Sequence, residues 1–416
     1  MATARGPEST ALEHAAEEAR RAGIGAGLAV LLGDVRSRLA HGELGPLPVV
    51  FGLAAIWIYF TIEEPAFLTS RNLSNLVLQI AVSGTIAIGV VLVLLLGEID
   101  LSVGSVAGLC AAVLAVLVVN QGWPWWAGIA AMLGVGAAIG AFQGAWLALI
   151  GVPSFVVTLA GLLGLLGVQL RVLGDVGTLN VFDPNIAALA TTYLPDVWGW
   201  ILAITAAAAY AVKNVVEQAR RRRAGLGARP LGIVAVQTLG LIVVALGAVA
   251  VLNRASGVPT AGLVLLGLVT LFSWITTRTK FGRYIYAVGG NAEAARRAGI
   301  NVRRIRIYVF TLCSLLAATG GLLLVARGAA AGTQTGGGTL LLEAIAAAVI
   351  GGTSLFGGRG TVWAALLGAL VIGSVSNGLD LIGQPADVKY MVQGAILLLA
   401  VTIDALSRRG RAAAGR

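Results

Sequence analysis

Residues 101–170 read LSVGSVAGLCAAVLAVLVVNQGWPWWAGIAAMLGVGAAIGAFQGAWLALIGVPSFVVTLAGLLGLLGVQL. These 70 residues contain no Asp, Glu, Lys or Arg, and they are long enough for about three helices of roughly 20 residues that cross a membrane. The whole chain has the same character, since 58% of its 416 residues are hydrophobic and only 12% are charged. A soluble globular protein carries about 25% charged residues. The composition therefore predicts an all-α polytopic membrane protein.

Apolar segments recur along the rest of the chain, and they predict about 12 transmembrane or re-entrant helices, with 10–12 allowed. Two of the segments, 104–119 and 341–356, are short, so we expect them to be broken or buried inside the bundle. The other predicted segments are 46–62, 76–96, 125–150, 154–174, 197–216, 231–252, 258–277, 306–326, 361–381 and 388–405.

The positions of lysine and arginine predict the orientation across the membrane. If the N-terminus lies in the cytoplasm, 24 of the 29 Lys and Arg residues fall in cytoplasmic segments. Positive residues are enriched in the cytoplasmic loops of membrane proteins, so both termini are predicted to lie inside. The net charge of +10 has the same explanation, and it does not call for a nucleic-acid partner.

The chain is predicted to divide into a cytoplasmic N-terminal arm at 1–43, a transmembrane domain at 44–405 and a basic cytoplasmic tail at 406–416. The arm contains several glutamates and lacks the apolar core of a cleavable signal peptide. Within the transmembrane domain, 197–252 is predicted to be an inserted helical hairpin. The segment 278–306 is predicted to be a cytoplasmic loop with eight basic residues and one acid.

A short capped helix is predicted within that loop, in the stretch GNAEAARRAGI at 290–300. An asparagine is a favoured N-cap, an acid suits the first turn, arginines suit the last turn, and a glycine suits the C-cap. The residues of this candidate docking helix are Gly290, Asn291, Glu293, Arg296, Arg297 and Gly299. From the residues alone, the helix fits docking to a separate protein and contact with lipid headgroups equally well.

Polar residues beside the spans form a second candidate site, at an inner gate or on a translocation path. These residues are Glu98, Asp100, Ser102 and Asn377. Acids next to a charge-free span are costly unless they have a role or lie at a boundary. The alternative for Asp100 and Ser102 is capping of the next helix, and the alternative for Asn377 is a hydrogen bond between helices.

Three separated segments, in this order along the chain, resemble the permease subunits of bacterial ABC sugar importers. They are GEIDLSVGSVAGL at 97–109, TKFGRYIYAVGGNAEAARRAGI at 279–300 and AIAAAVIGGTSLFGGRGTVWAALLGALVIGSVSNGL at 344–379. The resemblance covers most of the chain from about 50 to 405. Many relatives have Gly where this chain has Glu98. The inserted hairpin and the GEIDLSVGS spelling are most similar to the xylose branch of the family.

The resemblance implies a homodimeric permease with the large ABC importer fold, located in the bacterial plasma (inner) membrane. It implies two protein partners, a cytoplasmic ATPase with tandem nucleotide-binding halves and an extracytoplasmic sugar-binding protein. The helix at 290–299 would then couple the permease to the ATPase. The expected substrate is a monosaccharide, xylose or another pentose, and no cofactor is expected.

Two other classes of function are weighed against this one. A self-contained secondary transporter also suits about twelve spans, but the spans are nearly free of the acidic relays that such carriers use. A membrane-embedded enzyme would need a metal or an acid–base cluster, whereas His14 and His41 both lie in the arm. No lysine follows a glycine in the chain, so a GxxxxGK[ST] phosphate-binding loop is absent and ATP hydrolysis would require another subunit.

The distribution of basic residues predicts the location of two loops. A reporter fused at residue 225 should lie in the cytoplasm, because it follows the arginine run 220–223, and one fused at residue 185 should lie outside. Alkaline phosphatase and green fluorescent protein fusions at both positions measure this. A cytoplasmic signal at residue 185 would mean that the spans before the arginine run are miscounted.

Overall fold

The computed structural model describes residues 47–225 and 231–413. The predicted arm at 1–43 and the last three residues of the predicted tail lie outside the described residues. The described helices are α1 (Leu47–Glu63), α2 (Ser70–Leu95), α3 (Val103–Ala115), α4 (Trp125–Ala145), α5 (Ser154–Leu173), α6 (Pro184–Thr191), α7 (Asp196–Arg223), α8 (Leu231–Asn253), α9 (Thr260–Arg278), α10 (Lys280–Gly290), α11 (Ala292–Arg297), α12 (Val302–Gly328), α13 (Leu340–Ile350), α14 (Trp363–Leu381) and α15 (Ala386–Ala413).

Short elements complete the described fold. The strands β1 (Thr178–Asn180) and β4 (Ala330–Gly332) pair antiparallel, as do β2 (Tyr193–Leu194) and β3 (Val258–Pro259). Turns of 3-10 helix occur at Pro65–Leu68 and Gly174–Val176. Single π-helical turns, Val116–Asn120 and Trp146–Ile150, extend α3 and α4.

The predicted helical membrane bundle is confirmed. Eight helices within the described residues are long and apolar enough to cross a membrane, and three further apolar helices are shorter. The short ones are Pro48–Glu63, Gln237–Asn253 and Leu340–Ile350. The total of about 12 spans and the inside location of both termini stay predictions.

Helices α2 and α12 form the centre of the larger part of the fold. In the most apolar 18-residue stretch of each helix, 83% of the residues of α2 and 72% of those of α12 are buried, against 17% for α5. Helix α2 packs against α9, α12, α13 and α14, and α12 packs against α2, α3 and α4. Helices that bury all faces in this way must be apolar all round, which explains why residues 80–95 of α2 carry no charge and only two polar side chains, Ser83 and Thr85.

The short apolar segment predicted at 341–356 is a broken helix, and its end needs correction. Helix α13 ends at Ile350, and 351–361 is a glycine-rich loop. Before α13, the loop 333–339 rests on the start of α3, because a Cβ on Gly108 would lie 2.1 Å from the carbonyl oxygen of Thr335. Gly336 has a φ of +77°, which favours glycine. Helix α13 therefore starts inside the bundle.

The depth in the bundle at which α13 begins follows from contacts of α5, which packs beside α3. Ser105 donates to the carbonyl of Leu162, the ninth of the 20 residues of α5, and Gln169 donates to the carbonyls of Gly332 and Thr335. Leu162 lies roughly 12 Å along α5 and Gln169 roughly 22 Å along it. The loop 333–339 thus reaches the middle of the bundle, and α13 begins there.

Helices α7 and α8 form a compact unit of their own. They pack on each other, and Asn214 donates to the hydroxyl of Thr238 between them. The arginine run Arg220–Arg223 forms the last turn of α7, where positive charge is favourable to the helix dipole. That 197–252 is an inserted hairpin stays a prediction.

A pair of buried asparagines joins α2 to α14. Asn72 and Asn377 each donate their amide to the other's side-chain oxygen, at 2.7 and 3.0 Å, and Asn72 also donates to the carbonyl of Phe67. We expect Asn377→Ala to lower the free energy of unfolding by about 1 kcal/mol, because it leaves the amide of Asn72 without this partner. Denaturant titration in mixed micelles measures the change.

Asn75→Ala is the matched control, because Asn75 lies on the same helix but is exposed. An equal effect of the two substitutions would show that the asparagine pair contributes no stability.

Candidate functional site

The segment predicted to dock a partner consists of two helices in succession. Helix α10 directly precedes α11, and Asn291 alone lies between them. Thr279 caps α10 by accepting from the backbone N–H of Gly282. Ile285 and Val288 are buried, which fixes α10 on the bundle. Ile285 and Val288 are three residues apart in the sequence, so they fall on one face of a helix.

Helix α11 has the predicted caps. The side chain of Asn291 accepts from the N–H of Ala294 at 2.9 Å, and Gly299 has a φ of +82°. The N–H groups of Gly299 and Ile300 donate to the carbonyls of Arg296 and Ala295, which closes the C-terminal end. The helix begins and ends where the sequence predicts because both ends have hydrogen-bonding residues that stop it.

One face of α11 is buried and the other carries charge. Ala295 is 5% exposed. Glu293 accepts from Arg296 at 2.9 Å and from Arg297 at 3.2 Å, and the three side chains are 56%, 65% and 80% exposed. The helix thus presents a patterned charged surface on a fixed support. Such a surface suits a protein groove, in which the positions of charges decide the fit.

A backbone junction holds α10 against two other segments. A Cβ on Gly289 would lie 1.8 Å from the carbonyl oxygen of Leu95, at the end of α2, and 2.8 Å from the nitrogen of Gly358. That nitrogen donates to the same carbonyl at 2.9 Å. We call this contact of Leu95, Gly289 and Gly358 the glycine junction. It joins α10, the end of α2 and the loop 351–361.

Tyr286 adds a second bond between α10 and the same loop. Its hydroxyl donates to the carbonyl of Gly360 at 2.8 Å. Burial raises the pKa of the Tyr286 phenol, so the hydroxyl keeps its proton and remains a donor. Movement of α10 must therefore move the loop 351–361 or break these bonds.

The two acids of the GEID stretch have different partners. Glu98 forms an ion pair with Arg306, at 2.8 Å, and the two side chains are 13% and 28% exposed. Arg306 lies in the second turn of α12, so the pair joins the loop after α2 to the helix that follows α11. Among the described residues, the Nε of Arg306 is buried without a hydrogen-bond partner.

Asp100 is 2% exposed and accepts from both the N–H and the hydroxyl of Ser102, at 2.8 and 2.7 Å. The hydroxyl of Ser102 also bonds with the amide of Gln143 on α4. Burial raises the pKa of the Asp100 carboxyl, and the bonds from Ser102 oppose that shift. Asp100 has the capping geometry that the sequence allowed, whereas the side chain of Ser102 makes no cap bond.

The structure does not bring Asn377 together with the other three candidates. Its partner Asn72 lies in the first turn of α2, while Glu98, Asp100 and Ser102 follow the last turn. A 26-residue helix is roughly 39 Å long, so the two groups lie at opposite ends. The hydrogen bond between helices, allowed by the sequence, is confirmed.

Several residues of the site were missed from the sequence. Arg306 was counted only as a charge that sets orientation, although an unpaired acid at residue 98 gave reason to look for a cation. Tyr286, Gly289 and Gly358 were also missed, whereas Gly290 was among the predicted residues. Glycine pairs next to apolar helices are a signal of close backbone contact, but they do not name the partner segment.

Comparison with known proteins identifies the family. Residues 72–401 match the family described as "Branched-chain amino acid transport system / permease component". The xylose transport system permease protein of Escherichia coli K12 is 41% identical over 363 residues, which are 87% of this chain and 92% of that protein. The protein of the same name from Haemophilus influenzae is 37% identical over 362 residues, 87% of this chain and 96% of that protein.

A second kind of relative is the ribose import permease protein of Escherichia coli K12, 36% identical over 345 residues, or 82% of this chain and 88% of that protein. No solved structure gives a significant match. The chain belongs to this family of transport-system permease components. It is a multi-pass protein of the inner membrane.

The ion pair between Glu98 and Arg306 predicts a measurable coupling. Glu98→Gln and Arg306→Gln should each lower the unfolding temperature, because each leaves a partly buried charge unpaired. We expect a double-mutant coupling energy of about 1–2 kcal/mol. The doubly exchanged protein, Glu98→Arg with Arg306→Glu, should recover part of the loss.

Thermal unfolding of the purified protein, followed by size-exclusion chromatography, gives these values. Arg303→Gln is the matched control, because Arg303 lies on the same helix and is exposed. If the double variant Glu98→Gln with Arg306→Gln loses as much stability as the two single variants together, the pairing is contradicted.

Proposed function

We propose that this chain is the membrane-spanning permease of an ATP-driven importer and that its substrate is a pentose, xylose in the first place. The observation that carries the proposal is the similarity to xylose transport system permeases along 87% of the chain and more than nine-tenths of those proteins. The ribose import permease, a relative named for another pentose, supports the same class of substrate.

The energy would come from a separate cytoplasmic ATPase that docks on α11. Its support is the geometry of α11, with a buried face, two closed ends and an exposed charged face. The glycine junction and the Tyr286–Gly360 bond give a route from α10, which directly precedes α11, to the loop between α13 and α14. We further propose a homodimer with both termini inside, an ATPase with tandem nucleotide-binding halves, and a sugar-binding protein on the outer side.

A self-contained secondary transporter is the competing function. It would move the solute without a partner and would depend on an ion gradient. In the described part of the chain, the buried carboxylate Asp100 is bonded within its own loop, and Glu98 is paired with Arg306. This arrangement favours structural roles for both acids over a proton relay.

Uptake by proteoliposomes tests the proposal. Purified chain, ATPase and binding protein together should import labelled xylose when ATP is enclosed with the ATPase, and omission of either partner should abolish uptake. An uncoupler should have no effect while ATP is maintained. Uncoupler-sensitive uptake by the chain alone would contradict the importer. Uptake that requires both partners but selects another sugar would contradict the pentose assignment.

Charge reversal on α11 should uncouple transport. In Glu293→Arg with Arg297→Glu, an opposite-charge pair four residues apart remains, so the helix should persist. The charges offered to the ATPase are exchanged, however, and we expect ATP-dependent uptake to fall at least tenfold. Insertion should not change, and the exchange should cost at most about 1 kcal/mol of stability, because both charges then oppose the helix dipole.

Lys280→Glu is the control, because it reverses an exposed charge of the same loop outside α11. Normal uptake and normal copurification of the ATPase with the exchanged helix would show that α11 is not the docking element.

A further inference from the structure

A cavity of about 380 Å³ lies beside the first turn of α13. Small-molecule sites in proteins commonly have volumes of about 300–1,000 Å³. The cavity is lined by residues of the loop before α13 and of α13, α14 and α15, among them Thr339, Glu343, Ile372, Tyr390 and Gln393. Because α13 starts in the middle of the bundle, the cavity lies at the same depth.

The polar groups of the cavity form a connected set. One carboxylate oxygen of Glu343 accepts from the hydroxyl of Thr339 at 3.0 Å and from the amide of Gln393 at 3.2 Å. The same amide donates to the hydroxyl of Ser376 at 2.8 Å. These bonds fix the orientation of the Gln393 side chain and direct its amide nitrogen to α13 and α14.

The amide oxygen of Gln393 is left over. Gln393 is 8% exposed, and among the described residues its Oε1 is buried without a hydrogen-bond partner. A buried acceptor without a donor costs about 1–3 kcal/mol. A ligand with hydroxyl groups would supply the missing donor, and the phenol of Tyr390, 56% exposed, lies on the same cavity wall.

The charges favour a neutral ligand. The start of α13 carries the positive end of a helix dipole, but Glu343 already places a carboxylate in that first turn. No lysine or arginine is among the residues that line the cavity in the described chain. An amino acid would therefore bring a carboxylate without a free cation to receive it.

The same loop leads to a second cavity. Thr333, Gln334, Thr335 and Gly336 line a space of about 440 Å³ beside β1 and β4, while Gly338 and Thr339 line the first cavity. The two cavities therefore adjoin along the loop 333–339. This loop carries the hydroxyls of Thr333, Thr335 and Thr339 and the amide of Gln334 at neighbouring positions, which suits stepwise contact with a polyhydroxylated solute.

We propose that the cavity lined by Thr339, Glu343, Tyr390 and Gln393 is a sugar-binding site inside the permease, which takes a neutral polyhydroxylated solute of pentose size. The proposal rests on the proposed function for the identity of the sugar. We expect weak binding, because a transported solute must also dissociate from the site. The site acts on the passage of the sugar and not on its capture from outside.

Protection from chemical labelling tests binding without the partners. Tyr390→Cys places a thiol on the exposed wall, whereas the native Cys110 and Cys313 are buried and give the background. Xylose at 100 mM should slow maleimide labelling of this thiol several-fold, and leucine at the same concentration should not. In the Tyr390→Cys chain, Gln393→Met should remove the protection, because methionine keeps the shape but lacks the oxygen.

Equal protection by leucine, or no protection by xylose, would overturn the site. This experiment uses the permease alone, so its result is independent of the ATP-driven uptake experiment. Protection by xylose without ATP-driven uptake would support the binding site and contradict the proposed function. ATP-driven uptake without protection would support the proposed function and contradict the binding site.

Transport kinetics give a second measurement. In the three-component system, Gln393→Met and Glu343→Gln should lower the maximal uptake rate roughly tenfold, the effect of one lost hydrogen bond, at unchanged half-saturating xylose. Ser376→Ala is the matched control, because it removes a structural bond of Gln393 and leaves the Oε1 in place. Equal losses in Ser376→Ala and Gln393→Met, with no change in labelling, would assign Gln393 a packing role only.

Discussion

The structure depends on backbone contact without intervening side chains at the C-terminal end of α2. The carbonyl of Leu95 has no partner within its own helix, and a buried carbonyl without a donor is costly in an apolar environment. The nitrogen of Gly358 supplies the donor, and it reaches the carbonyl only because Gly289 has no side chain. One hydrogen bond thus fixes the position of three segments that are far apart in the chain.

The helical bundle could be predicted because the bilayer imposes a simple rule on sequence. A spanning helix must satisfy its backbone internally and show lipid an apolar surface, so length and hydropathy are sufficient signals. The caps of α11 could be predicted for a similar reason. Asn291 and Gly299 act on residues within three or four positions, and local chemistry of this kind is visible in a single sequence.

Contacts between distant segments could not be predicted in this way. The partner of Glu98 is more than 200 positions away, and nothing in the sequence distinguishes Arg306 from the other arginines of its loop. The opposite location of Asn377 depends on which helices become neighbours, and the break before α13 depends on the glycines of α3 that admit the loop. Hydropathy predicts whether a segment inserts into the bilayer, but it does not predict which other helix the segment packs against.

The short helix α13 connects the cavity at its first turn with the glycine junction. Its first turn borders the cavity and its last residue precedes the loop of the glycine junction, so about 16 Å of rigid rod separates them. By linkage, a ligand that shifts α13 at one end changes the affinity at the other end by the same factor by which a ligand at that other end changes the affinity at the first. A solute that prefers one position of α13 must therefore change, by the same factor, the affinity of whatever binds at α11 and prefers that position. Under the proposed function, binding of the sugar in the cavity would then be coupled to binding of the ATPase at α11.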